Sequence, residues 1–210
     1  HLTCVGATKV EIGAVLDRLL ASGIENVLAL RGDPPKGEAA FHAESGGFAH
    51  ASELAGFIRK RHPGLCIGGA CYPEGHVECR DLEQDLLNLR KKVDAGADFL
   101  VTQLFFDPAD YFAFVKRSRA IGISLPIVPG IMPVGNLEQV KRFTAMCGAR
   151  IPSGLLSRLE AASTPEAVAR VGVEHAIAQC RALLEGGAPG IHFYTLNKSA
   201  ATREIFSSLR

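Results

Sequence analysis

Asn26 to Asp33, NVLALRGD, is an apolar run without polar/apolar alternation that ends abruptly in an arginine, a glycine and a carboxylate. Continuous apolarity over that length reads as a strand buried on both faces, with charge presented only at its carboxyl end. Gly32 allows a sharp turn or a close approach of backbone to a ligand, and Pro34 and Pro35 end the strand. Alone, the stretch is equally a strand capped by a surface Arg–Asp pair. What constrains the fold is recurrence of the same ending. LCIGGAC (65–71) runs into Tyr72-Pro73-Glu74-Gly75-His76, and DFLVTQ (98–103) stops at Thr-Gln before Leu-Phe-Phe-Asp. Pro126 to Pro129 is a further short strand, and Ile191 to Leu196 a last one carrying His192 and Tyr194.

Helical periodicity fills the intervals. TKVEIGAVLDRLLASG has a capping threonine at 8, a glutamate three residues on, apolar positions at 12, 15, 16, 19 and 20, and Gly23 as its stop. A second helix covers about His50 to Arg61. Others span Pro108 to about Ala120, 137–147, 153–161, 164–186 and 199–209. Between Asp81 and Ala95, Leu82, Leu86, Leu89 and Val93 form an apolar stripe, while Asp81, Asp85, Asn88 and Lys92 form a polar one whose simplest reading is a solvated face. Gly32 to Ala49 is a long loop, and Gly130 to Gly135 a tight Pro/Gly turn. Gly68 and Gly69 inside a strand suggest that another backbone or a flat ligand passes close by.

Such β-α alternation gives a parallel sheet, either open or closed into a barrel. In both, the ligand site lies at the carboxyl ends of the strands, which here hold Arg31-Gly32-Asp33, Tyr72, Thr102-Gln103 and Asn197. An eight-stranded barrel would be short by two units, and His1 to Cys4, which resemble the tail of a strand already under way, are what is expected if about two β-α units lie upstream of His1. A chain of 210 residues is most simply one domain.

Exclusions follow from composition and absent motifs. The formal charge of +1, with 23 basic and 22 acidic residues, points to neither nucleic acid nor membrane. No apolar stretch approaches the ~20 residues that cross a bilayer. The six cysteines are not spaced as a secreted framework and are expected to be reduced in a cytoplasmic protein. Neither G-x-G-x-x-G nor G-x-x-x-x-G-K-[ST] is present, nor G-x-S-x-G or H-E-x-x-H. Cys71, His76 and Cys79 fit no zinc pattern, so no metal is expected.

HLTC (1–4), LALRGD (28–33), CYPEGH (71–76), DLLNLRKKVDAGAD (85–98), TQLFFD (102–107), PGIMPV (129–134), ARIPSGL (149–155) and HFYTLN (192–197) together resemble bacterial methylenetetrahydrofolate reductase, collinearly over essentially the entire chain. The resemblance implies a (β/α)8 TIM barrel holding FAD. In that family FAD takes a hydride from NADH or NADPH and passes it to 5,10-methylenetetrahydrofolate, giving 5-methyltetrahydrofolate in a ping-pong order that serves one-carbon metabolism. It implies FAD contacts at His1, Arg31, Gly32, Asp33, His50, Ala51, Tyr72, His76, Asp85, Asn88, Lys91 and Lys92, with tyrosine common in relatives where His50 stands. Asp33 and Gln103 are the implied catalytic residues, and Gln103 and Lys198 the substrate-binding ones. Small-molecule partners and a homo-oligomer are in keeping with the family.

The chemistry suits those side chains. A diphosphate needs donors and cations such as Arg31, Lys91, Lys92 and His76, while ribityl and adenosine hydroxyls want acceptors such as Asp85 and Asn88. A carboxylate beside the flavin, Asp33, would favour giving the hydride away; its plainer role is a salt bridge to Arg31. Gln103, a neutral amide, can donate and accept. The chain departs from the family at the general acid, a glutamate on the first barrel strand. No strand-end carboxylate here matches it, and Glu74, nearest by type, follows Tyr72-Pro73 in a different strand. Leu159 stands where relatives commonly carry an aromatic that packs on substrate. The alternative is a truncated, non-catalytic domain that binds flavin or a partner. A barrel aldolase is disfavoured because no lysine lies at a strand end.

Overall fold

The computed structural model describes residues 1–35, 37–38, 40–79 and 81–210. The strands are β1 (Leu2–Thr3), β2 (Asn26–Leu30), β3 (Cys66–Cys71), β4 (Phe99–Thr102), β5 (Ile127–Val128), β6 (Gly130–Ile131) and β7 (His192–Phe193). The helices are α1 (Lys9–Ala21), α2 (Ala51–Arg61), α3 (Leu82–Asp94), α4 (Pro108–Ala120), α5 (Leu137–Cys147), α6 (Ser153–Ala161), α7 (Pro165–Glu185) and α8 (Ala200–Ser208). The fold is α/β with parallel strand pairing. Two compact units are distinguishable: His1–Ala70 with Leu86–Leu100, and Cys71–Asp85 with Val101–Arg210.

In the first unit, β1 pairs parallel to β2 and β2 to β3, in register Leu2 with Ala29 and Asn26 with Cys66. The Asp98 N–H, at the entry to β4, donates to the Ile67 carbonyl at 2.7 Å. α1 begins as its sequence dictates: the Thr8 hydroxyl accepts from Glu11 N–H, and the Glu11 carboxylate accepts from Thr8 N–H at 2.8 Å. Its apolar side buries Ile12 and Leu16 with Val27, Leu54, Ile58 and Ile67 in one core cluster. The expected loop at 32–49 contains Lys36 and Ala39, which lie outside the described residues; the described part holds no helix or strand.

The glycine pair in β3 corrects an expectation. A Cβ on Gly68 would stand 2.6 Å from the Phe99 ring and 2.9 Å from Leu28, and one on Gly69 would stand 2.7 Å from Lys92 Cδ. Side chains of neighbouring elements fill that space, rather than a backbone or a flat ligand. The apolar stripe of α3 also needs amendment, since Leu86 and Leu89 are buried but Leu82 is 42% exposed. Leu82 opens the helix just after its cap, where Asp81 Oδ1 accepts from the Glu83 and Gln84 N–H groups.

In the second unit, β5 lies beside β4, and β6 pairs parallel to β7 with Gly130 opposite His192. Of the expected turn over Gly130 to Gly135, the first two residues are strand and 132–135 are irregular. Pro129 has no N–H for a ladder, but its carbonyl accepts from the His192 N–H at 2.9 Å, so the chain changes partner there. A core of Leu104, Phe106, Met132, Val134, Val140, Leu155, Leu159 and Val168 packs beneath α5 to α7. All six cysteines are free, and burial pushes the Cys4 and Cys180 thiols up to about 11, so neither is a nucleophile at neutral pH. Among the described residues no helix is long and apolar enough to cross a membrane.

Candidate active site

In the second unit, the end of β4, the start of β6 and the residue after β7 are tied together by a small polar network. Thr102, the last residue of β4, is completely buried. Its hydroxyl accepts from the Gly130 N–H at 2.9 Å, and its carbonyl accepts from the Tyr194 hydroxyl at 2.7 Å. Gly130 admits this arrangement because it lacks a Cβ, which would lie 2.6 Å from the Tyr194 ring. Burial first, then the Cys71, Tyr72 and Cys147 groups around it, push the Tyr194 phenol well up, so it stays a donor at any physiological pH. The ring of His192 meets that of Tyr194 edge-on at 5.0 Å, and burial pushes the imidazole down toward its neutral form. Gln103 follows directly: its N–H donates to the Cys71 carbonyl at 2.7 Å, and its side-chain Oε1 accepts from the Leu104 N–H at 2.9 Å.

The segment after β3 is fixed just as firmly. Tyr72 and His76 meet edge-to-face at 4.6 Å, and His76 Nδ1 accepts from the Glu78 N–H at 3.1 Å, which leaves Nε2 to carry the proton in the neutral ring. Glu74 accepts from the Arg150 N–H at 3.1 Å, and the Arg150 guanidinium reaches Asp110 at 3.1 Å. Burial raises the Glu74 carboxyl above its ordinary range, with the Arg150 N–H opposing that shift. Glu74 thus joins the 72–76 segment to 149–152. Lys198 is exposed in the turn after β7, where Leu196 and Asn197 both adopt positive φ, 49° and 61°.

In the first unit, Arg31, Gly32 and Asp33 leave β2 at its carboxyl end, as expected. Gly32 has φ 88°, and a Cβ there would strike Val5 and stand 3.1 Å from Thr3, so both conformation and space demand glycine. The Arg31 guanidinium lies 5.2 Å from the Phe41 ring centre. His50 is the exposed N-cap of α2 without a capping side-chain bond, Ala51 is the first residue of that helix, and His1 is exposed. On α3, Lys91 donates to Asn88 Oδ1 at 3.1 Å. Lys92 is half-buried, laying its stem over Gly69 and giving its ammonium to the Ala70 carbonyl. Asp85 begins the same helix, in the second unit, and is also half-buried. The polar stripe is therefore not uniformly solvated.

The sequence did not show the partners of Tyr194, the burial of Leu159 or the place of Gln179. Thr102 and Gly130 sit in a strand end and a presumed turn, with nothing local to mark them as partners of Tyr194. Leu159 is fully buried in the core, so it presents no surface to a ligand. Gln179 is 4% exposed on α7, and a legible signal did exist: it lies on the helix stripe of Gly172, Ala176 and Leu183, where an amide is out of place. Replacing Tyr194 by phenylalanine removes the hydroxyl donor to the Thr102 carbonyl. The expected loss is about 1 to 2 kcal/mol in a denaturant titration, with the helical content unchanged.

A family model described as methylenetetrahydrofolate reductase matches residues 1–210. "Methylenetetrahydrofolate reductase (NADH) 1" of Arabidopsis thaliana is 40% identical over 222 residues, covering 100% of this chain and 37% of that protein. The "5,10-methylenetetrahydrofolate reductase" of Salmonella typhimurium is 37% identical over 210 residues, covering 100% of this chain and 69% of that protein. "Probable methylenetetrahydrofolate reductase (NADPH)" of Caenorhabditis elegans is 40% identical, and the chain spans 32% of its length. The chain thus spans about a third of the plant and nematode relatives. Among solved structures, an uncharacterized protein from Clostridium thermocellum that binds two copies of 5-methyl-5,6,7,8-tetrahydrofolic acid matches with TM-score 0.61 at 18% identity, covering 99% of this chain and 70% of that one. At that identity the likeness is one of fold.

Proposed function

The chain belongs to the methylenetetrahydrofolate reductase family, and from that premise we propose that it forms part of a barrel enzyme that reduces 5,10-methylenetetrahydrofolate to 5-methyltetrahydrofolate in the cytoplasm, using FAD and a reduced nicotinamide nucleotide. The observation that carries this reading is the match, over all 210 residues of this chain, to relatives named for that reaction. The relatives are named for NADH in one case and NADPH in another, so the reductant is proposed by class. The Clostridium thermocellum protein's folate ligand supports a folate in this fold.

The donor set suits FAD. In the first unit, Arg31, Lys91 and Asn88 are the groups for a diphosphate and its hydroxyls, with Lys92 shaping the end of β3 by its bond to Ala70 and adding its positive charge. Gly32 brings backbone rather than side chain to that surface, and Asp33, exposed beside it, supplies a carboxylate. His1, His50 and Ala51 complete that set. In the second unit, Tyr72, His76 and Asp85 are the corresponding groups, and Gln103 and Lys198 are the substrate contacts. FAD, when bound, supplies the hydride relay between the nicotinamide and the folate. The residues' part is to hold, orient and exclude water. Glu74 does not serve as the acid for the folate nitrogen in this reading, because Arg150 already claims it.

The test is to purify the full-length protein and record its absorbance. Bound flavin bands are expected, together with NADH–menadione and methylenetetrahydrofolate turnover. Flavin without folate turnover in the full-length protein would remove this reading in favour of a non-catalytic flavin-binding domain. A colourless protein that FAD cannot reconstitute would remove both.

A further inference from the structure

Residues 103–107, after β4, belong to no helix or strand, so their carbonyls need partners from elsewhere. α7 supplies two. Gln179 Nε2 donates to the Phe105 carbonyl at 2.8 Å, and His175 Nε2 bonds the Phe106 carbonyl at 3.0 Å. The two side chains are four residues apart, one above the other on a single helix face. Gln179 is among the few buried polar side chains of the described residues, and a buried amide is costly unless it is bonded. The rings fasten the same loop as well. Phe105 is 1% exposed and stacks on Tyr111 at 5.9 Å, while Phe106 enters the core with Leu159.

The loop begins at Gln103. Its Oε1 is held by the Leu104 N–H, which leaves the amide NH2 as the group it can offer a ligand. That orientation depends on where the Leu104 N–H points, and the peptides two and three further along the same loop are those clamped by α7. We propose that Gln179 and His175 are positioning residues: by fixing the Phe105 and Phe106 carbonyls they hold the Leu104 N–H against Gln103, so that its amide NH2 is presented to substrate. This rests on the reading of Gln103 as a substrate contact.

The experiment is a double-mutant cycle on the full-length protein. Gln179→Met keeps the volume and removes the donor, and His175→Leu does the same at a less buried point, with His175→Gln restoring an amide donor. Gln179→Met is expected to lower kcat/KM for methylenetetrahydrofolate about tenfold with flavin retained. Combined with Gln103→Leu it is expected to add nothing, because the orientation it maintains no longer exists. Hydrogen exchange of the 103–107 segment is expected to quicken in Gln179→Met and His175→Leu and to return toward wild type in His175→Gln. Multiplicative losses in the double variant, or a silent Gln179→Met beside an impaired Gln103→Leu, would overturn the clamp alone. A silent Gln103→Leu would overturn the substrate reading and the clamp with it.

Discussion

Gly172→Ala is expected to destabilise the protein by about 2 kcal/mol, although it replaces a poor helix former by the best one. Two effects of opposite sign compete. Inside an exposed helix the change would gain roughly 1 kcal/mol from propensity. At position 172 the new Cβ would stand 2.7 Å from the Val134 carbonyl carbon and 2.8 Å from Val134 Cβ, with the carbonyl oxygen nearer still. Those atoms are backbone and a buried side chain at 3% exposure, so nothing flexible can step aside. α7 must shift instead, and overpacking of this kind costs about 1 to 3 kcal/mol or more. Packing therefore wins. A shift of α7 also carries His175 and Gln179, one and two turns further on, away from the Phe106 and Phe105 carbonyls. Chemical denaturation of the wild type and Gly172→Ala measures the first effect; a midpoint at or above wild type would show that the helix can slide without cost.

The same glycine marks where sequence reading stopped. Strand and helix identities were legible because they are local. An unbroken apolar run ending in Arg31-Gly32-Asp33 gave β2, and Thr8 with Glu11 gave the start of α1 and its capping bonds. The positions of the strand-end residues Tyr72 and Gln103 follow from the same periodicity. What was not legible depends on residues distant in the chain. Gly68 and Gly69 were recognisable as a close approach, but the neighbours turned out to be Phe99, Leu28 and Lys92. The break at Pro129 depends on His192, and the burial of Leu159 on a cluster drawn from the segments that follow β4 and β6 and from α5 and α7. The polar stripe of α3 looked uniform, yet Lys92 is bound to the Ala70 carbonyl while Asn88 and Lys91 stay exposed and bond each other. Sequence pattern fixes which face a residue takes, and only the partner across the fold decides whether that face meets water or protein.

Gln103 is where the largest catalytic effect is expected. Its backbone N–H bond to Cys71 is independent of the side chain, so the stability cost of Gln103→Leu is the lost bond from the Leu104 N–H, about 1 kcal/mol. Gln103→Leu removes the amide and leaves a polar ligand group facing an apolar one, which costs about 1.5 to 3 kcal/mol. That corresponds to roughly a 10- to 100-fold fall in kcat/KM for methylenetetrahydrofolate. Gln103→Glu separates the two ends of the amide. One carboxylate oxygen can still accept from the Leu104 N–H, as Oε1 does at 2.9 Å, so the loop keeps its geometry. The other end, formerly a donor, becomes a charged acceptor and repels any ligand acceptor placed there. Gln103→Glu should therefore be at least as impaired as Gln103→Leu, with an unchanged unfolding midpoint. The order carries the information: a ligand that donates to position 103 would make the glutamate variant the better of the two. Steady-state kinetics on both full-length variants, alongside thermal unfolding, decide it, and kcat/KM within about twofold of wild type in both would take Gln103 out of the site.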